Sequence, residues 1–349
     1  MADERIQDFL KQALEQEDAL WPEPLLQLSP AYKRQETVAD LARRGVLHPE
    51  TAEIFRDRNG QPLLLYQHQV ESIEKARAQR SFVVTSGTGS GKSFCYFVPI
   101  VDALLRNPEA QPPTALVVYP MNALANSQLQ ALEQLRDRYQ ERTGRLFPLQ
   151  FAKFTGETQD PNIRNALRKN PPHLLITNYM MLELMMARPE DRDLLRTQGD
   201  HLFLVFDELH TYRGRQGADM AMLIRRLKSR LPSQTRVLHI GTNATMADRR
   251  DSSAQEQRSI IAEFAARFFA CDITPEDVIT ETLQPITEGG SPAREELIQA
   301  LGAPLPGDTR ALAEHPSPDG WNTPLALNTP RTAPCAAACR APSVTRPAS

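Results

Sequence analysis

Cysteine is scarce in this sequence. Cys95, Cys271, Cys335 and Cys339 are too few and too scattered for a disulfide framework or a four-ligand zinc site. A reducing, cytoplasmic interior is the expected setting. Long hydrophobic runs are lacking too. The longest, Leu174 to Met186, is interrupted by Thr177, Asn178 and Glu183, which leaves it too short to span a bilayer, and the charged start MADERIQDFL has no signal-peptide core. No membrane partner is expected. Excess charge of one sign is also absent: 40 basic residues against 43 acidic ones give a net charge of -3. Histone-like binding is thereby excluded, and any contact with an anionic polymer needs a local basic patch. What is present is bulk: 349 residues, 41% of them hydrophobic, are enough to bury at least one sizeable core.

The chain divides by pattern. Residues 4–18 place Ile6, Phe9, Leu10 and Leu14 at helical spacing, and residues 36–57 predict two short helices split at Gly45 and His48-Pro49. This gives an N-terminal helical segment over 1–58. From residue 59 short β-rich runs follow: Ser81 to Thr85, Ala115 to Tyr119, Leu174 to Thr177, Leu202 to Phe206 and Val237 to Ile240, each followed by a helix-period segment. Such alternation predicts an α/β fold, a parallel sheet with helices on both faces, over 59–285. Residues 286–349 hold 10 of the 28 prolines, and beyond Asp319 no acidic residue occurs. That segment is expected to be an irregular, Pro/Ala-rich tail.

The strongest motif is SFVVTSGTGSGKSFCYFVPIVDALL, a buried-strand pattern running through Ser86, Gly87, Thr88, Gly89, Ser90, Gly91, Lys92 and Ser93 into an amphipathic helix. This is a phosphate-binding loop in its required context. Close-spaced glycines let backbone amides converge on phosphate oxygens at a helix N-terminus. Lys92 is expected to reach the β/γ-phosphates, and the Ser93 hydroxyl to coordinate Mg²⁺. The expected ligands are ATP and Mg²⁺. Ser86 stands where Gly or Ala is common, so a small residue is kept. Cys95, just beyond on an apolar helix face, is expected in the core.

In LFLVFDELHTYRGRQGADMAMLIRRL an apolar strand ends in Asp207-Glu208-Leu209-His210, about 115 residues after the loop. Carboxylates at a strand C-terminus lie where α/β sheets place ligands. Asp207 is expected to hold Mg²⁺, and Glu208 to orient or deprotonate the water that attacks the γ-phosphate.

With the loop and this Asp-Glu-x-His box, the chain resembles the N-terminal RecA-like half of superfamily 2 DEAD/DEAH-box helicases over residues 59–285. Four further stretches match that family's ordered motifs: LLLYQHQVESI, VVYPMNALANSQ, FTGET and HIGTNATM. The wording of YPMNALANSQ, TNYMMLE and DELHTYRGRQGAD is most similar to the YprA-type bacterial helicases. The resemblance implies an ATP-dependent nucleic-acid helicase or translocase with DNA, or else RNA, as its strand. It implies that Gln69 reads adenine, with Tyr66 beside the base, and that His210, Thr242 and Thr245 couple the nucleotide site to the strand groove. Asn243 stands where Ser is usual. Pro120, Asn122, Thr155, Gly156, Thr177 and Asn178 match loops that hold the phosphate backbone of one strand, with little sequence information. Arg213 and Arg215, with Arg225, Arg226, Lys228 and Arg230, are candidates to extend that groove. A charge run on a helix is more commonly a solvated face, and both readings stay open. His68, beside Gln69, reads as an ordinary helix residue.

The family hydrolyses ATP between two RecA-like domains, the second supplying arginines worth several orders of magnitude in rate. No second half is legible here. The expectation is a truncated chain, its residues from about Ser317 read out of frame, with a separate partner subunit as the alternative source of the second domain.

Overall fold

Alternation within the strands decides the architecture. In Phe82–Thr85, Phe82 and Val84 pack into one core while Val83 packs into the other; in Ala115–Tyr119, Ala115, Val117 and Tyr119 oppose Leu116 and Val118. A strand buried on both faces needs helices on both faces. The computed structural model describes residues 31–87, 89–197, 199–244 and 253–284. The helix expected over residues 4–18, Thr88, Thr245 and the tail over 286–349 lie outside the described residues.

In chain order the elements are β1 Arg34–Thr37, α1 Val38–Arg43, α2 Pro49–Ile54, β2 Leu64–Tyr66, α3 Gln67–Arg77, β3 Phe82–Thr85, α4 Phe94–Arg106, β4 Ala115–Tyr119 and α5 Asn122–Thr143. Then follow β5 Phe151–Lys153, α6 Pro161–Lys169, β6 Leu174–Asn178, α7 Tyr179–Ala187, β7 His201–Phe206, α8 Gly214–Lys228, β8 Arg236–Asn243, α9 Ala254–Phe269 and β9 Val278–Thr280. The main sheet has the order β5-β6-β4-β7-β8-β3-β9. Every neighbouring pair in it is parallel. All seven C-terminal ends therefore share one edge.

Two cores sandwich this sheet. One joins Val84, Val117, Ile176, Val205 and Ile240 to Val70 and Ile73 of α3, Tyr96 and Ile100 of α4 and Leu132 and Leu135 of α5. The other joins Val83, Val118, Leu175, Leu204 and Phe206 to Leu182 and Met185 of α7, Leu223 and Ile224 of α8 and Phe268 and Phe269 of α9. Each fully buried aliphatic side chain contributes roughly 1.5–3 kcal/mol by leaving water.

The two short helices expected over 36–57 are α1 and α2, with Gly45 between them at φ +72. Thr37 caps α1: its hydroxyl accepts from Asp40 N–H at 3.1 Å, while the Asp40 carboxylate accepts from Thr37 N–H at 3.0 Å. These elements do not stand apart from the sheet. Residues 32–283 form one compact unit, so residues 32–58 belong with the rest. Asp102 of α4, only 8% exposed, accepts from the Thr51 hydroxyl at 2.9 Å and from Arg106 Nε at 2.7 Å. A buried carboxylate is tolerable only with such donors. The five expected strands are all present: β4 has the expected ends, β3, β6 and β7 differ by one residue at one end, and β8 starts one residue earlier and runs on through Asn243. Short β1, β2, β5 and β9 were not foreseen, because three or four residues carry too little periodicity to register.

Candidate functional site

The predicted residues gather along the C-terminal edge of the sheet in two groups. One lies over β7, β8 and β3, which are adjacent in that order, and the other over β5, β6 and β4.

Beyond β3 the chain turns through Ser86–Ser93 before α4 begins. Gly89 at φ +79 and Gly91 at φ +70 take left-handed conformations that favour glycine. At Gly91 a Cβ would also lie 2.6 Å from Gln69 Nε2. The Ser86 and Ser90 hydroxyls meet at 2.6 Å, both buried, so the serine at the motif's first position closes the loop on itself. Lys92 Nζ donates to Ser86 O at 2.9 Å and to Gly87 O at 3.3 Å, which holds the ammonium at the loop. Ser93 precedes α4 without spending its hydroxyl on a cap.

Gln69 is 2% exposed. Its Oε1 accepts from Tyr66 N–H at 2.9 Å, and its Nε2 donates to Ser90 O at 3.2 Å and Gly91 O at 3.0 Å. The amide expected to read adenine thus braces the phosphate loop. His68, a helix residue as expected, does the same: it is 1% exposed, with Nε2 3.0 Å from Ser90 O. Its ring stacks on Tyr66 at 5.7 Å, and Tyr32 lies 5.4 Å from Tyr66. Burial, the largest cause, lowers the His68 pKa and favours the neutral ring.

At the end of β7, Asp207 is 9% exposed and burial pushes its carboxyl up to about 6. Hydrogen bonding from Thr242 and the charge of Lys92 oppose that rise, while Glu208 adds to it. Thr242, fully buried on β8, joins the parts: its hydroxyl donates to Asp207 Oδ1 and accepts from Glu208 N–H at 3.1 Å. Glu208 is a non-glycine residue at φ +52, an uncommon conformation that needs such support. His210 Nδ1 sits 2.9 Å from Asn243 Oδ1 and 3.2 Å from Glu208 Oε2. Glu208 Oε2 is buried without an aligned hydrogen bond, although His210 lies beside it. Asn243, in the place where Ser is usual, therefore reaches His210 with its longer amide. Thr245 and Thr88 lie outside the described residues.

The donor set suits Mg²⁺. This hard ion takes one or two protein oxygens and completes its shell with substrate phosphates and water. Asp207 offers a buried carboxylate held by Thr242, and Ser93 a hydroxyl not used as a cap. Among the described residues no cluster of three or more His, Cys, Asp or Glu forms a full protein cage.

The second group is arranged differently. Asn178 Nδ2 donates to Asn122 Oδ1 at 2.6 Å, which brings the ends of β6 and β4 together. Thr177 is buried, its hydroxyl donating to Phe154 O at 2.7 Å. Thr155 is buried as well, and its hydroxyl accepts from Glu157 N–H at 3.3 Å. These two hydroxyls shape the loops from within. Gly156 is exposed, and Pro120 is partly so beside Met121, which is 60% exposed. Sequence reasoning missed Lys153, whose Nζ donates to Asn126 Oδ1 and, at 2.9 Å, to Glu157 Oε2. No motif marks that trio.

Arg213 and Arg215 are exposed where α8 starts. The rest of the basic run lies at the far end of α8. Arg225 donates to Arg267 O, Lys228 to Phe269 O and Ala270 O, and Arg230 to Met186 O. Such donors satisfy the last carbonyls of helices, so Arg225, Lys228 and Arg230 serve the fold. Cys95 is fully buried, its thiol pushed up to about 12 by burial.

A family profile described as DEAD/DEAH box helicase matches residues 66–252. Among curated proteins the chain is 24% identical to Druantia protein DruE of Escherichia coli strain UMEA 4076-1, over 74% of this chain and 20% of that protein. It is 32% identical to the uncharacterized ATP-dependent helicase YprA of Bacillus subtilis strain 168, over 47% of this chain and 20% of that protein. The chain thus spans about a fifth of the length of these relatives. Its fold is similar to that of DUF1998 helicase MrfA bound to DNA, with a TM-score of 0.56 and 23% identity over 78% of this chain and 32% of that one. With the family profile covering more than half of the sequence, the chain belongs to the DEAD/DEAH box helicases.

Proposed function

We propose that this chain is the ATP- and strand-binding part of an ATP-dependent nucleic-acid helicase or translocase, with DNA as the strand. The observation that carries the reading is the junction at Thr242. One buried hydroxyl on β8 bonds both acidic residues of the box after β7, next to the phosphate loop after β3. The geometry suits phosphoryl transfer, where the protein positions reactants and stabilises charge rather than forming covalent bonds.

In this reading the loop amides and Lys92 hold the triphosphate, and Lys92 exchanges Ser86 O and Gly87 O for phosphate oxygens. Mg²⁺, held by Ser93 and Asp207, would neutralise charge on the β- and γ-phosphates. Glu208 takes a proton from the attacking water, and His210, tied to Asn243, reports the state of the box to β8. Gln69 and His68 keep the loop in shape from below. Asn122, Asn178 and the Gly156 backbone meet the strand through groups blind to base identity. DNA is favoured as the strand by the fold's similarity to MrfA, which was solved with DNA. Unwinding belongs to the intact enzyme, where a second RecA-like domain, in cis or on a partner subunit, adds arginines to the γ-phosphate. A cytoplasmic setting fits; among the described residues no helix is long and apolar enough to cross a membrane.

The test is ATP turnover with Mg²⁺ by the purified chain, alone and with single-stranded DNA or RNA, beside Lys92→Ala and Glu208→Gln. Nucleotide binding that Lys92→Ala abolishes and that DNA alters supports the reading. Binding indifferent to both strands would leave a nucleotide-binding module without a strand. A larger response to RNA than to DNA would reassign the strand.

A further inference from the structure

The phosphate loop meets an anionic side chain, Glu281, that lies outside the residues that the family profile matches. Gly87 N–H donates to Glu281 Oε2 at 2.6 Å. The bond is short and charge-assisted. Glu281 follows β9 directly, and its own N–H donates to Thr85 O at 3.2 Å, so the carboxylate is carried by backbone paired to the strand that feeds the loop. The next residue binds the start of the unit: Lys33 N–H donates to Thr282 O at 2.8 Å, and Tyr32 pairs with Leu283.

Tyr32 completes the contact. A Cβ on Gly87 would lie 2.7 Å from the Tyr32 hydroxyl and 3.4 Å from Glu281 Oε2. Glycine at 87 is thus what admits the pair. Charged or titratable groups facing this spot include His68 and Tyr66, with Lys92 bonded to Gly87 O.

We infer that Glu281 is a counter-anion built into the phosphate loop, which weakens the hold on a triphosphate and ties nucleotide loading to the strands where the chain enters and leaves the unit. The inference rests on the reading that this loop binds ATP. Two facts of physical chemistry give its direction. A glutamine would accept from the same Gly87 N–H without bringing charge, whereas a carboxylate beside a triphosphate adds repulsion in a partly buried setting where screening is weak. Phosphate oxygens also compete for Lys92, which donates to the Gly87 carbonyl while Glu281 holds the Gly87 N–H. Triphosphate entry therefore shifts Glu281 off Gly87. Because Glu281, Thr282 and Leu283 are consecutive, that shift loosens the Lys33–Thr282 and Tyr32–Leu283 pairing.

The experiment titrates a fluorescent ATP analogue with Mg²⁺ into the full chain, wild type and Glu281→Gln, at low and high salt. It also follows amide exchange at Lys33 and over 281–283 in the wild type, with and without nucleotide. The expected result is binding about fivefold tighter in Glu281→Gln at low salt, with the gain shrinking at high salt, and faster exchange at both segments on nucleotide addition. Equal or weaker binding by Glu281→Gln would overturn the inference while wild-type binding upholds the ATP reading. Unchanged exchange in the wild type would also overturn it, whether or not the variant folds. A wild type that binds no ATP analogue would remove the ATP reading and this inference together.

Discussion

The two halves of the sheet's C-terminal edge are built differently on neighbouring strands of one sheet. Over β7, β8 and β3 the groups are buried and bonded to one another: Thr242 to the acidic box, Gln69 and His68 to the loop, and Ser86 to Ser90. Over β5, β6 and β4 the threonine hydroxyls turn inward, the half-buried Asn122 and Asn178 amides bond to each other, and the Gly156 backbone is exposed. Charge transfer on a phosphate gains from fixed dipoles in a dry site, where no reorganisation is needed. A groove that must slide along a strand gains from shallow, interchangeable contacts. On the proposed function, the comparison teaches that precision is concentrated where the phosphate bond would break.

Breaking the first half should cost most. Glu208→Gln is expected to lower kcat by about a hundredfold to ten-thousandfold, in steady-state assays, with nucleotide affinity nearly unchanged. Next in size is Thr242→Val, which strips the acidic box of its shared partner. It should destabilise the chain by ~1–3 kcal/mol in denaturant melts and lower turnover as well.

The buried Asp207 sets a pH limit. Its carboxyl is raised to about 6, so Mg²⁺-dependent nucleotide binding, read by titration across pH, should weaken below about pH 6 as protons compete with the metal. The stability sign follows. A raised carboxyl favours the fold below its ordinary value of 3.8, and that contribution is lost as pH rises through about 6. Asp207→Asn should therefore raise metal-free stability at pH 7, by roughly 3 kcal/mol, and confer no such gain near pH 3.

The smallest effect belongs to the other half of the edge. Asn178→Ala removes the bond to Asn122 and the cap on Met181 N–H, and should weaken single-strand binding about threefold in anisotropy titrations while leaving nucleotide affinity intact. A large nucleotide effect there would erase the contrast between the halves.

Legibility in the sequence followed the same division. The loop from Ser86 to Ser93 and the box from Asp207 to His210 are contiguous, because a backbone cradle and a strand end are local structures. Five strands were visible because β-branched and aliphatic runs buried on both faces stand out from their surroundings. What could not be read was non-local. Glu281 lies 194 positions from Gly87. The bond from His210 to Asn243 depends on β7 and β8 being neighbours, although they are separated in sequence by α8. The inward turn of Thr155 and Thr177 depends on loop packing that no spacing encodes. Arg225 and Lys228 drew attention as a charge run, and only the position of α9 reveals them as donors to its last carbonyls.

The central claim is that the edge over β7, β8 and β3 is one nucleotide site, separate from the strand side. It is tested most directly by titrating a fluorescent ATP analogue, with Mg²⁺ at neutral pH, into wild type, Lys92→Ala and Asn178→Ala. Binding by the wild type and Asn178→Ala, with loss in Lys92→Ala, is the expected result. Equal affinity in all three proteins, or no binding by the wild type, would contradict it.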